Sequence, residues 1–374
     1  MWKSSTARSG FRRDDRVKPV RNLSCGIACC ASLLPLFAAA APAQSAPAPV
    51  AGLQPSVVFG ETSPLSGNTQ ILRRMISPLA AAAARRALAR SGQGLREQSI
   101  DPAKEIFTVY VPATKPPHGY GLLVFVPPWG EAKLPQDWSS VLDQYGVIYV
   151  SAANSANDAN VLGRRDPLAL IAYQNIVDRY PVDPERVFIG GFSGGSRVAM
   201  RLALGYPDVF RGALLDAGAD PIGDAKAPLP PRDLMLQFQS TSRLVYISGD
   251  EDTLNLQTDK GSIRSMRDWC VTDTDDEVAP HTSHDTPDGI ALARVFAALT
   301  APVPPDPSEL ASCRAGIDAE LASKLQQVDA LIASGSRDDA RKLLLEIDTR
   351  FGGLAAPKSV ELDAQLASEP ATAH

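Results

Sequence analysis

From about residue 95 the chain is punctuated by short apolar runs. Phe107-Thr108-Val109-Tyr110-Val111 alternates and stops at Pro112, and Gly121–Val126 runs unbroken to Pro127-Pro128. Val147–Val150, Val187–Ile189, Ala213–Leu215 and Leu244–Ile247 follow. Runs of this length with no polar face suit strands buried on both sides. Between them the period shifts. Ala169, Ala172, Tyr173, Ile176, Val177 and Tyr180 mark one helix, and Val198–Leu204, Ile263–Trp269 and Ile290–Leu299 mark others. Strands alternating with helices predict an α/β fold, a mostly parallel sheet flanked by helices over residues 95–300.

The flanks read differently. Residues 44–56 are rich in Ala and Pro and predict a flexible stretch. Ile71-Leu72, Met75-Ile76 and Leu79 carry helical spacing within the N-terminal segment 44–94. After a Pro-rich hinge at 301–307, Leu321, Leu325, Val328 and Leu331-Ile332 mark one helix. Ala340, Leu343-Leu344 and Ile347 mark a second beyond Gly335, with a third at 359–366. The expectation is a small C-terminal helical appendage over 308–368, a surface for protein contact.

Residues 1–43 are not part of this pattern. Lys3, Arg8, Arg12, Arg13, Arg16, Lys18 and Arg21 precede an apolar run, Ile27–Ala41, which ends at Ala41-Pro42-Ala43. A basic region, an apolar region and a small-x-small site predict a cleaved secretory signal, hence a secreted or periplasmic protein with no stable membrane span. Cleavage takes away seven basic and two acidic residues, moving the net charge from −5 to about −10. That balance argues against nucleic acid or anionic lipid as a partner. Cleavage also removes Cys25, Cys29 and Cys30, leaving Cys270 and Cys313. Two cysteines in an oxidising compartment predict one disulfide.

The chemistry centres on Gly191-Phe192-Ser193-Gly194-Gly195, between the run 187–190 and the helix pattern that follows. A serine between small residues at a strand-to-helix turn is the context of the G-x-S-x-G nucleophile. Such a serine needs a base and an acid, in the chain order Ser, acid, His. Of the four histidines, His118 precedes Ser193 and His374 ends the chain. His284, before the closing helix, is the expected base and His281 the alternative. Leu244–Ile247 leads into Ser248-Gly249-Asp250-Glu251-Asp252. Gly-x-x-Asp spacing selects Asp252 as the acid, with Asp250 second. Expected oxyanion donors are the N–H group of Gly194 and, because Pro127 and Pro128 have none to give, that of Trp129, with Gly130 the alternative. No metal or other cofactor is called for.

The stretch Asp183-Pro184-Glu185-Arg186-Val187-Phe188-Ile189-Gly190 through Gly195 resembles the nucleophile region of α/β-hydrolases of the polyhydroxybutyrate depolymerase and feruloyl esterase group. Gly249-x-x-Asp252 and His284-x-x-Pro287 are similar to that group's acid and base regions. The resemblance covers roughly residues 95–300 and implies a secreted enzyme cleaving carboxylic esters, small or polymeric. One departure stands out: that group usually carries His-Gly where this chain has Pro127-Pro128.

The leading expectation is therefore a serine esterase working through an acyl-enzyme. Two alternatives accompany it. One is a peptidase of the same fold. The other, motivated by the altered loop and the appendage, is a hydrolase-fold binding protein without catalysis.

Overall fold

The computed structural model describes residues 50–368. The expected signal at 1–43 and the terminal His374 lie outside the described residues. Eight strands form one sheet in the order β1-β2-β4-β3-β5-β6-β7-β8. They are β1 (Gly52–Val57), β2 (Phe107–Val111), β3 (Tyr120–Val126), β4 (Val147–Ala152), β5 (Val182–Phe192), β6 (Gly212–Asp216), β7 (Arg243–Gly249) and β8 (Thr274–Ala279). From β4 to β8 every pairing is parallel, whereas β2 runs antiparallel to both β1 and β4.

The apolar runs fill the middle of this sheet. Every residue of β2, β3, β4, β6 and β7 is buried, as parallel strands covered on both faces require. The two edges are built differently. β8 is the acidic stretch Thr274–Ala279 and forms through its ladder with β7; charge on an edge strand discourages further pairing.

At the other edge, residues 52–57 are a strand rather than the flexible stretch expected from their composition. β1 pairs with β2 through Gly52–Gln54, and the register shifts between Gln54 and Val57. Pro55 lies within that shift, where its missing N–H costs no ladder bond. Its carbonyl accepts the Thr108 hydroxyl at 3.1 Å.

Eleven helices complete the described chain. Seven accompany the sheet: α1 (Asn68–Arg74), α3 (Trp138–Tyr145), α4 (Asp166–Arg179), α5 (Gly194–Gly205), α6 (Arg232–Thr241), α7 (Thr253–Asp268) and α8 (Gly289–Leu299). Of these, α7 is longer than its apolar residues suggested because Asp252 caps it, accepting the Asn255 N–H.

The remaining four are α2 (Pro78–Arg90), α9 (Pro307–Ala333), α10 (Arg337–Phe351) and α11 (Lys358–Ser368). The three expected C-terminal helices are present, and they pack into the sheet's core. Leu321, Val328, Leu344, Ile347, Phe351, Leu362 and Leu366 belong to the same buried cluster as Leu122 and Ile189. Asp348 of α10 accepts the Leu79 N–H at 3.0 Å and the Ser77 hydroxyl, capping the start of α2 from a distant part of the chain. Arg86 of α2 pairs with Asp363 of α11 at 2.7 Å. Cys270 and Cys313 form a disulfide that ties the end of α7 to α9.

Candidate active site

Ser193 sits between β5 and α5 with φ 55° and ψ −120°, a strained backbone for a residue with a Cβ. Its neighbours make the turn possible. A Cβ on Gly191 would lie 2.3 Å from the Gly195 carbonyl oxygen, and one on Gly195 would lie 1.9 Å from that of Val126. Both positions therefore admit only glycine. The Ser193 N–H donates to the Asp216 carbonyl of β6 at 2.8 Å, which fixes the turn from the other side.

Two loops at the carboxyl ends of the strands meet this serine. The Ser193 Oγ is 2.9 Å from His284 Nε2, and His284 Nδ1 is 2.6 Å from Asp252 Oδ2. The loops pack tightly: a Cβ on Gly249 would fall 2.0 Å from the Thr282 carbonyl oxygen. Asn255 also donates through Nδ2 to Asp252 Oδ2 at 2.7 Å. Burial works against ionisation of Asp252, but hydrogen bonds from Asn255 and His284 outweigh it and hold the carboxyl below its ordinary value. An ionised Asp252 orients the imidazole through Nδ1 and leaves Nε2 to face the hydroxyl. The Phe192 ring, 4.8 Å from the imidazole centroid, packs on the same histidine.

Asp250 and His281 are not brought to Ser193. Asp250 accepts the Thr282 N–H at 3.2 Å, and its carboxyl is lowered first by the His281 N–H. Asp250 thus braces the loop that carries His284. His281 occupies the turn itself, with φ 53°.

Beneath the serine lies a carboxyl the sequence did not single out. Asp216 is buried at the end of β6. Burial, with Asp259, Asp285 and Asp252 as like charges, raises it well above the carboxylate range.

The strand order, the parallel run from β4 to β8 and the strained serine after β5 settle the architecture. This is the α/β-hydrolase fold. Asp252 follows β7 and His284 follows β8, so the three residues that meet occur in the order Ser193, Asp252, His284.

No family model matches the chain. A poly(3-hydroxybutyrate) depolymerase of Ralstonia pickettii is 29% identical over 99 residues, which cover 23% of this chain and 20% of the depolymerase. The chain thus matches about a fifth of that relative's length. Among solved structures, S-formylglutathione hydrolase (FrmB) of Staphylococcus aureus is 14% identical over 53% of this chain and 93% of its own, with a TM-score of 0.40. An acetyl xylan esterase of Aspergillus awamori is 15% identical over 53% and 95%, with a TM-score of 0.41.

Of the two residues expected as oxyanion donors, Trp129 lies on the loop after β3 and Gly194 at the start of α5. Among the described residues, neither the Trp129 nor the Gly194 N–H donates to a backbone carbonyl. The Trp129 ring packs toward Phe192 at 6.0 Å, with the Lys133 ammonium 4.5 Å over it. Asn157 stands against Gly194: a Cβ there would lie 2.0 Å from its Oδ1. The sequence by itself gave no role to Asn255, Asn157, Phe192 or Arg165. Only Asn255, three residues after Asp252 at a helix start, carried a usable capping signal.

Proposed function

We propose that the chain is a serine esterase that cleaves carboxylic esters through an acyl-enzyme on Ser193. The observation that carries this reading is the relay from Ser193 Oγ to His284 Nε2, with His284 Nδ1 on Asp252. In the forward half-reaction Ser193 Oγ bonds to the ester carbonyl carbon and its proton passes to His284 Nε2. The carbonyl π-pair moves onto oxygen, facing the Gly194 and Trp129 N–H groups. As the C–O bond to the alcohol breaks, His284 returns the proton to the departing oxygen. Water then repeats the sequence on the acyl-serine and releases the acid. Ionised Asp252 stabilises the imidazolium in both halves.

Three features support an ester of open shape, small or polymeric. The His284 side chain is 47% exposed. No helix intervenes between β6 and α6. The sequence is similar, over a limited stretch, to a polyester depolymerase. The signal pattern at 1–43 and the Cys270–Cys313 bond support a secreted or periplasmic enzyme.

The test uses a fluorophosphonate probe and a chromogenic short-chain ester on purified protein. Both should report on wild type, and both signals should vanish in Ser193→Ala and in His284→Ala turnover. Labelling that survives in Ser193→Ala overturns the nucleophile. A wild type that neither labels nor turns over favours a binding protein.

A further inference from the structure

We propose that Arg165 is a positioning residue that holds the two halves of the oxyanion hole in register. The proposal rests on the serine-hydrolase reading above.

The need arises from the sequence of the loop after β3. Pro127 and Pro128 have no N–H, so the backbone of these two residues is anchored through their carbonyls. One segment of the chain holds both of them and that of Gly130. Pro127 O accepts from Arg165 Nη2 at 2.8 Å, Pro128 O from the Asn157 N–H at 3.1 Å and Gly130 O from the Asn154 N–H at 2.7 Å.

Arg165 does more than the two asparagines. Its Nη1 also donates to Gly194 O at 3.3 Å. One guanidinium therefore joins the loop that carries the Trp129 N–H to the turn that carries the Gly194 N–H. The β3–β5 ladder ends at Val126–Gly191. Beyond it, among the described residues, no backbone hydrogen bond connects 127–130 with 193–195. The two segments touch, as the crowding of Val126 against Gly195 requires, but Arg165 is what ties them. A planar fork with fixed N–H directions sets both separation and angle.

The clamp stands on a firm base. Arg165 ends a π-helical turn, Val161–Arg165, that leads into α4. The preceding Arg164 pairs bidentately with Glu105 at 3.1 and 2.7 Å and donates through Nε to Asn154 O at 2.8 Å. Arg165 itself is 3% exposed. Its hydrogen bonds go to neutral carbonyls and not to a carboxylate. Burying a guanidinium is costly, and here its donors serve the two segments that flank the nucleophile.

Arg165→Met, Arg165→Gln and Arg165→Lys test this, with active sites counted by phosphonate titration so that only folded enzyme is compared. For Met, kcat should fall about ten- to hundredfold, since displacing a donor costs less than deleting one. KM should stay within about twofold, because the hole acts mainly in the transition state. Lys and Gln should fall between. Affinity for a trifluoromethyl ketone, whose serine adduct carries an oxyanion, should drop in step with kcat/KM. A residue that merely supports folding would lower thermal stability and leave these constants unchanged per titrated site. Wild-type kcat in folded Arg165→Met, or unchanged ketone affinity, overturns the proposal. Should Met not fold, Lys and Gln decide on the same two readouts. If wild type neither labels at Ser193 nor turns over, the hydrolase reading falls, and the clamp with it.

Discussion

The Val126 carbonyl oxygen presses on the Cα of Gly195 so closely that a Cβ there would stand 1.9 Å away. The end of β3 and the start of α5 are thus locked in a backbone contact that only glycine permits. Gly195→Ala must push the oxyanion loop from the nucleophile turn. Turnover should fall by at least about 100-fold, or the protein should fail to fold, since misplacements of about 1 Å are that costly. Gly316→Ala is the matching control. It lies within α9 with open space around its Cα, so ester turnover should be unchanged and stability should rise by about 0.5–1 kcal/mol.

Asn255 joins the capping of α7 to the chemistry. Its Nδ2 donates to Asp252 and so favours the ionised carboxyl. In Asn255→Ala that support is lost and the Asp252 pKa rises. The acid-side loss of kcat should therefore move to higher pH. At neutral pH kcat should drop about tenfold, the scale of one charged hydrogen bond. A pH–rate profile of both proteins reads this directly. An unmoved acid limb would show that Asn255 only caps the helix.

Asp166 opens α4 beside Arg165 and is fully buried. Burial pushes its carboxyl up to about 7, against the pull of Arg201 and Arg165. The folded protein therefore keeps a proton that the unfolded chain releases near pH 4. Its contribution to stability is fully present below that pH and is lost as pH rises through 7. Asp166→Asn removes this dependence. The variant's thermal stability relative to wild type should be better at pH 8 than at pH 5, by about 1–3 kcal/mol. Equal differences at the two pH values would argue against it.

The C-terminal helices are expected to be part of the folding unit. The Cys270–Cys313 bond spans 43 residues, and breaking a loop of that order costs about 2–4 kcal/mol. Denaturant unfolding with and without reductant measures it. Deleting 308–368 exposes the apolar core around Leu321, Phe351 and Leu362 and uncaps α2. That truncation should aggregate, and a soluble, fully active fragment would contradict the shared core.

Much of the sheet was readable because buried parallel strands leave a plain mark. Leu122–Val126 and Leu244–Ile247 have no polar face to hide them. The edges left none. β8 is acidic and β1 contains Gly52 and Pro55, and both form because a neighbouring ladder offers hydrogen bonds. Composition cannot report a partner supplied from elsewhere in the chain. The same limit applies to the C-terminal helices, whose spacing was visible while the surface that receives them was not.

By itself the sequence determined the alternation of strand and helix, the glycine-flanked turn at Ser193 and the short roster of histidines. These follow from local sterics and from periodicity, which neighbouring residues settle among themselves. Only the tertiary structure decided which acid and which histidine stand at the serine. Asp250 and Asp252 are two residues apart, yet one braces a turn and the other faces His284. Arg165 was decided in the same way, since its meaning lies in two carbonyls, Pro127 and Gly194, that the fold brings to one guanidinium.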